Sequence, residues 1–203
     1  MKKTLLFALL CWIYLTVVSV KAEPLTTSTR ITQSVQSGIG ICWEGGHSNW
    51  ESYIGPIIVL NYRIDIPLSS CWSLNPGFGA NTGMTGYAAY NPFTSLQACC
   101  SVAYHYLTYD VPMFVSVGPT LSYMVIPMRY HYSDGGNHPL NGKEVYKRAL
   151  MSIRSEITFC NNNHWHWGLT GEIGLGNAIK HYPGIDTPQA SLYSLQFNVN
   201  YSF

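Results

Sequence analysis

A histidine and a serine one residue apart, His131-Tyr132-Ser133, precede a carboxylate at Glu144. If the three converge they can carry acyl transfer: the imidazole takes the serine proton, the oxygen attacks an ester carbonyl, and the acid orients the imidazole. The same types, set in a stretch that holds Asp134-Gly135-Gly136, equally describe a polar surface loop. His164 and His166 have the spacing that puts two imidazoles on one face of a strand, and His105 is expected at a similar depth. No third ligand is predictable beside them, so no metal is assigned. The remaining candidates are charges. Arg63 shares a face with Asp65, Arg154 shares one with Glu156, and Glu172 is expected diagonal to Arg154. Such a set can line an ion path or lock itself into a salt-bridged plug.

Which of these it does depends on the elements that hold the charges. The clearest is the final strand. Tyr193, Leu195, Phe197, Val199, Tyr201 and Phe203 alternate with Ser194, Gln196, Asn198, Asn200 and Ser202, giving one apolar and one polar face. Seven further segments read as strands at 34–44, 53–66, 71–82, 95–107, 111–125, 148–160 and 164–179. Their connections alternate in length. Those at 45–52, 83–94, 126–147 and 180–190 are long, and those at 67–70, 108–110 and 161–163 are short. Long loops at one end and short turns at the other are the rhythm of an outer-membrane barrel. The fold class is therefore all-β, an eight-stranded antiparallel up-and-down transmembrane β-barrel.

In that barrel the apolar faces point to lipid. Tyr62, Trp72, Tyr104, Tyr106, Phe159, Trp165, Trp167, Tyr201 and Phe203 then all face outward near the short-turn end, where amphipathic rings settle at a membrane interface. Gly38, Gly40, Gly77, Gly79, Gly174 and Gly176 take the inward parity and leave room for larger lumen side chains. An eight-stranded lumen is one that side chains can nearly fill, which favours the plug for Arg63, Asp65, Arg154, Glu156 and Glu172.

The N-terminus reads as an export signal over 1–22: Lys2 and Lys3, an apolar run from Leu5 to Val20, and cleavage after Ala22. Glu23 and Pro24 follow, with no lipid-accepting cysteine. A polar leader is expected at 23–33 and the barrel at 34–203. About 180 residues then remain, enough for one domain. Charged residues are 10% of the chain and aromatics 14%, with 15 Tyr; a soluble domain carries about 25% charged residues. The net charge of +1 gives no hint of nucleic-acid binding. Cys42, Cys71, Cys99, Cys100 and Cys160 show no CxxC spacing and read as packing residues.

The chain resembles the outer-membrane β-barrel domain family, in its small, PorT-like group. The resemblance rests on Tyr62-Arg63-Ile64-Asp65-Ile66-Pro67-Leu68, on Trp72-Ser73-Leu74-Asn75-Pro76-Gly77-Phe78-Gly79, on Val117-Gly118-Pro119 and on the closing Asn200-Tyr201-Ser202-Phe203. It implies location in the outer membrane of a Gram-negative cell. It implies assembly machinery that reads the last strand through Tyr201 and Phe203, and contact with outer-membrane lipid and lipopolysaccharide. It implies no cofactor and no shared catalytic set. The His131, Ser133 and Glu144 set separately resembles lipid A deacylase barrels. The leading expectation is a monomeric barrel with a structural, adhesive or interaction role through its outer loops. A lipid A esterase and a small pore are the alternatives.

Overall fold

The computed structural model describes residues 23–24, 30–46, 54–85, 91–108, 111–129, 142–160, 164–183 and 189–203. The expected export signal at 1–22 lies outside the described residues. The strands are β1 (Glu23–Pro24), β2 (Thr32–Gly46), β3 (Gly55–Pro67), β4 (Trp72–Thr85), β5 (Asn91–Thr108), β6 (Val111–Ile126), β7 (Ala149–Cys160), β8 (Trp165–Leu175) and β9 (Ala190–Ser202). Each of β2 to β9 pairs antiparallel with its sequence neighbours. β9 returns to β2, from Ser34↔Ser202 to Gly46↔Ala190, and closes an eight-stranded antiparallel β-barrel. Closure leaves no strand edge of the barrel with unpaired backbone groups. β1 is an addition within the expected leader. It pairs with Leu107 and Tyr106 of β5.

Period-two alternation sets what faces where. Gln36, Asn198, Thr158 and Thr170 are 0% exposed inside, whereas Ile39, Phe78 and Leu60 on the outside are 65%, 64% and 57% exposed. Charged and amide side chains inside and aliphatic ones outside invert the polarity of a water-soluble domain. The pattern is that of a sheet closed within hydrocarbon. Small residues make the inside fit. A Cβ on Gly38 would collide with Asn198 Oδ1, and one on Gly79 with Asn61 Oδ1.

Three details differ from the sequence reading. β8 stops at Leu175 rather than running to 179, because Gly176 takes φ +79° and turns the chain. Gly176 is therefore a turn residue and not a lumen spacer. Tyr106, expected at a membrane interface, is 3% exposed and packs with Met113 and Val115. The other outward aromatics stand as pairs on neighbouring strands: Tyr62 on Phe78, Trp72 on Tyr104, Trp165 on Tyr201 and Trp167 on Phe197. Tyr201 also stacks on Phe203, and Phe159 is 41% exposed on the same outer surface.

Candidate functional site

Two layers of buried side chains stand in series in the lumen. The first is charged and lies at mid-height. Glu156 of β7 accepts from Arg63 Nη1 of β3 at 2.6 Å, directly across the barrel, and from Arg154 Nη2 at 3.2 Å. It also accepts from Gln36 Nε2 at 3.1 Å, Thr158 Oγ1 at 2.9 Å and Thr170 Oγ1 at 3.2 Å. One carboxylate thus gathers donors from β2, β3, β7 and β8. Glu172 sits opposite Arg154 in the β7–β8 register, not diagonal to it, with Arg154 Nη1 to Glu172 Oε1 at 3.6 Å. Gln36, Asn61 and Gln97 carry the network on toward β5. These bonds span the lumen from β3 to β7 at that level.

The second layer is apolar and lies at the end with the long connections. Cys42, Ile57, Val59, Phe93 and Met124 point inward from the strand tops, and Met128, Val145, Tyr146, Ala178 and Ile179 come down from the connections. The two connections hold each other through Lys147 N to Ala178 O and Lys180 N to Val145 O, both 2.8 Å, around the Tyr146↔Ile179 bridge. Asn177 Oδ1 accepts from the backbone N–H of Ile179 and of Ala190, each at 3.0 Å, and pins the β8–β9 connection to the mouth. Tyr146 donates its hydroxyl to buried Glu44. Sequence reading missed this cap. The signal was present, since inward positions turn from polar to apolar at Cys42, Ile57, Phe93 and Met124.

Between the layers lies a cavity of about 60 Å³. Its lining mixes Glu172, Ser152, Ser194, Asn81 and Ser95 with Phe93, Met124, Leu150, Leu192 and Ile57. Below the charged layer, at the short-turn end, Asn75 Nδ2 donates to Asp65 Oδ1 at 2.9 Å and Ser73 Oγ meets His105 Nε2 at 2.8 Å. Ser73 is 0% exposed, so this serine–histidine pair has no access for an acyl substrate. His166 Nε2 meets Ser202 Oγ at 3.1 Å and His164 Nδ1 meets Ser202 O at 2.9 Å. The two imidazoles are thereby tied to the closing strand. No cluster of three metal-ligating side chains occurs among the described residues.

His131 and Ser133 lie outside the described residues. Glu144 is described, and its carboxylate is taken by cations: Arg148 Nη2 at 2.6 Å and Lys180 Nζ at 3.0 Å. Hydrogen bonds from Arg148 and then Lys180 pull this carboxyl down from 4.5 to about 2. A depressed folded-state value means that the tie is fully present above about pH 4.5 and is lost as pH falls toward 2. Amide exchange at Lys147 and Lys180, whose N–H groups donate between the two connections, corrected for intrinsic rate, should therefore lose protection across that window. In Glu144→Gln the loss should already be present at neutral pH. Protection unchanged down to pH 2 would contradict the tie.

No protein-family model matches the chain, and no curated protein matches its sequence. Solved structures do. Neisserial surface protein A aligns at 10% identity over 84% of this chain and 97% of its own, with a TM-score of 0.53. Ail, the attachment invasion locus protein of Yersinia pestis, solved with the heparin analogue sucrose octasulfate, aligns at 10% over 86% and 99%, with a TM-score of 0.49. The outer membrane protein OprG from Pseudomonas aeruginosa aligns at 8% over 88% and 99%, also at 0.49. At such identity the likeness is one of fold: these are small eight-stranded outer-membrane β-barrels.

Proposed function

We propose that the chain is an exported, non-conducting outer-membrane barrel that acts through its long-loop end, where a cationic rim meets the phosphates of lipopolysaccharide. The observation that carries the reading is the Arg63–Glu156–Arg154 contact across the lumen, which turns the barrel from a conduit into a rigid support for what stands on its rim. Among the described residues that rim holds Arg129, Lys143, Lys147, Arg148 and Lys180, against the half-buried carboxylate of Glu144. Lys143 is held over the Tyr182 ring at 5.6 Å. That excess of cations is what the reading offers to the phosphates of outer-leaflet headgroups. Tyr201 and Phe203 at the end of the closing strand are offered to the assembly machinery, and the small PorT-like group remains the family this reading favours.

Cations beside an anionic membrane surface contribute roughly 1 kcal/mol each, screened by salt. Refolded protein should bind vesicles containing lipopolysaccharide more tightly than neutral vesicles at low salt. Arg129→Ser, Lys143→Ser and Lys147→Ser together should remove most of that preference while the boiled and unboiled mobilities still differ. Equal binding by the triple variant and the parent would overturn the rim reading.

A further inference from the structure

The apolar cap is fixed to the barrel wall through a buried carboxyl. Glu44 stands near the top of β2, one residue beyond Trp43, whose ring stacks on Tyr193 with centroids 5.8 Å apart. Outward amphipathic rings settle at the membrane interface, so Glu44 lies at the mouth, outside the hydrocarbon. It is 6% exposed, and Tyr146 of the cap, 2% exposed, donates its hydroxyl to Glu44 Oε1. No described cation is paired with this carboxyl. Arg148 and Lys180 are on Glu144, Lys143 is held over Tyr182, and Arg129 and Lys147 are exposed. Opposite Glu44 in register β9 places Leu192, and around Tyr146 the cap holds Val145, Ala178 and Ile179, none of which titrates. On its own strand the titratable neighbour is Cys42, whose thiol is turned to the backbone oxygens of Pro56 and Met84. A carboxylate buried with one neutral donor and no cation is costly to ionise. Burial pushes the Glu44 carboxyl up from 4.5 to about 7, against the smaller opposing pull of the Tyr146 bond.

We propose that Glu44 and Tyr146 are a proton-operated latch on the cap: the cap is docked while the Glu44 carboxyl is neutral and is released when that carboxyl ionises. Release returns the carboxyl to water and to its ordinary value. The docked state therefore keeps its proton to higher pH than the released state. Docking is fully favoured below about pH 4.5, weakens as pH rises from there, and reaches its lower limit above about pH 7. The Glu144 tie changes only below about pH 4.5, so the two windows do not overlap. Release uncovers the apolar mouth and leaves Arg63 and Arg154 on Glu156, so the lumen stays shut. The rim cations take no part, so the latch stands or falls apart from lipopolysaccharide binding.

The test is amide exchange on the full refolded protein in detergent, with no lipid present and with rates corrected for intrinsic exchange. It is read at Lys147, Ala178 and Lys180, whose N–H groups hold the cap together and tie it to the start of β9. In the parent, protection at these three should fall at least about tenfold between about pH 5 and pH 8, the equivalent of one pKa unit, while mid-strand amides of β7 should not change. Glu44→Gln keeps the volume and an acceptor and removes the titration, so its profile should be flat. Tyr146→Phe removes the donor and keeps the carboxyl, so its fall should exceed that of the parent. A flat profile in the parent overturns the proposal, and so does the parent's fall persisting in Glu44→Gln. Should Glu44→Gln fail to fold, Tyr146→Phe decides: a fall no larger than the parent's overturns the latch.

Discussion

Glu156→Gln should destabilise the barrel by about 3–5 kcal/mol, the cost of breaking a buried ion pair on one side only. The side chain is fully buried, and it receives five donors from four strands. Glutamine keeps the volume and removes the charge. Arg154 would still have Glu172 and Gln36. Arg63 would not fare so well. Beyond Glu156 its described contact is the face of the Phe114 ring at 5.9 Å, too little to hold a desolvated guanidinium. Urea unfolding in detergent, followed by the loss of the heat-modifiable band, measures the effect. Ser155→Ala, one residue along and facing outward, should stay within about 0.5 kcal/mol of the parent. A change below about 1 kcal/mol for Glu156→Gln would mean that the charged layer is hydrated and not a locked plug.

The second large effect concerns permeation, and it is not additive. Arg154→Ser with Glu156→Ser dismantles the charged layer, yet it should leave the barrel closed. The cluster of Met124, Met128, Tyr146 and Ile179 still stands in series above it, and a path through two barriers is only as open as the tighter one. Met128→Ser with Tyr146→Ser loosens the cap and should also leave the barrel closed, because the charged layer remains. Only the fourfold combination should let proteoliposomes swell in urea or glycine, several-fold faster than the parent. Folding of each variant is checked by its mobility shift on boiling. Swelling with the first pair alone would show that the cap is leaky and that the charged layer is the whole barrier.

The residues differ in how far the sequence disclosed them. Strand β9 was legible because alternation from Tyr193 to Phe203 depends on local geometry alone. Inward and outward parities followed, and with them the facing of Arg63, Asp65, Arg154, Glu156 and Glu172. What parity does not contain is depth. The meeting of Arg63 with Glu156 joins β3 to β7 across the lumen, and its height depends on the stagger of every strand between them. The placement of Glu172 erred for the same reason, since the register through the 161–163 turn decides between opposite and diagonal. The cap was missed for a different reason. Long connections are ordinarily solvated, but Val145, Tyr146, Ala178 and Ile179 are buried because the mouth of the barrel offers them apolar strand tops. Tyr106 was misplaced because outward parity does not require exposure once neighbours pack over a ring.

The central claim is that one small barrel crosses the membrane with its lumen shut. Planar-bilayer recording of the pure, refolded parent protein tests it most directly. The account predicts a current that stays at the level of the bare membrane after insertion has been verified. Reproducible conductance steps from the same preparation would contradict it, because no steady ion path can coexist with Arg63 and Arg154 bound to Glu156 beneath a closed apolar cap.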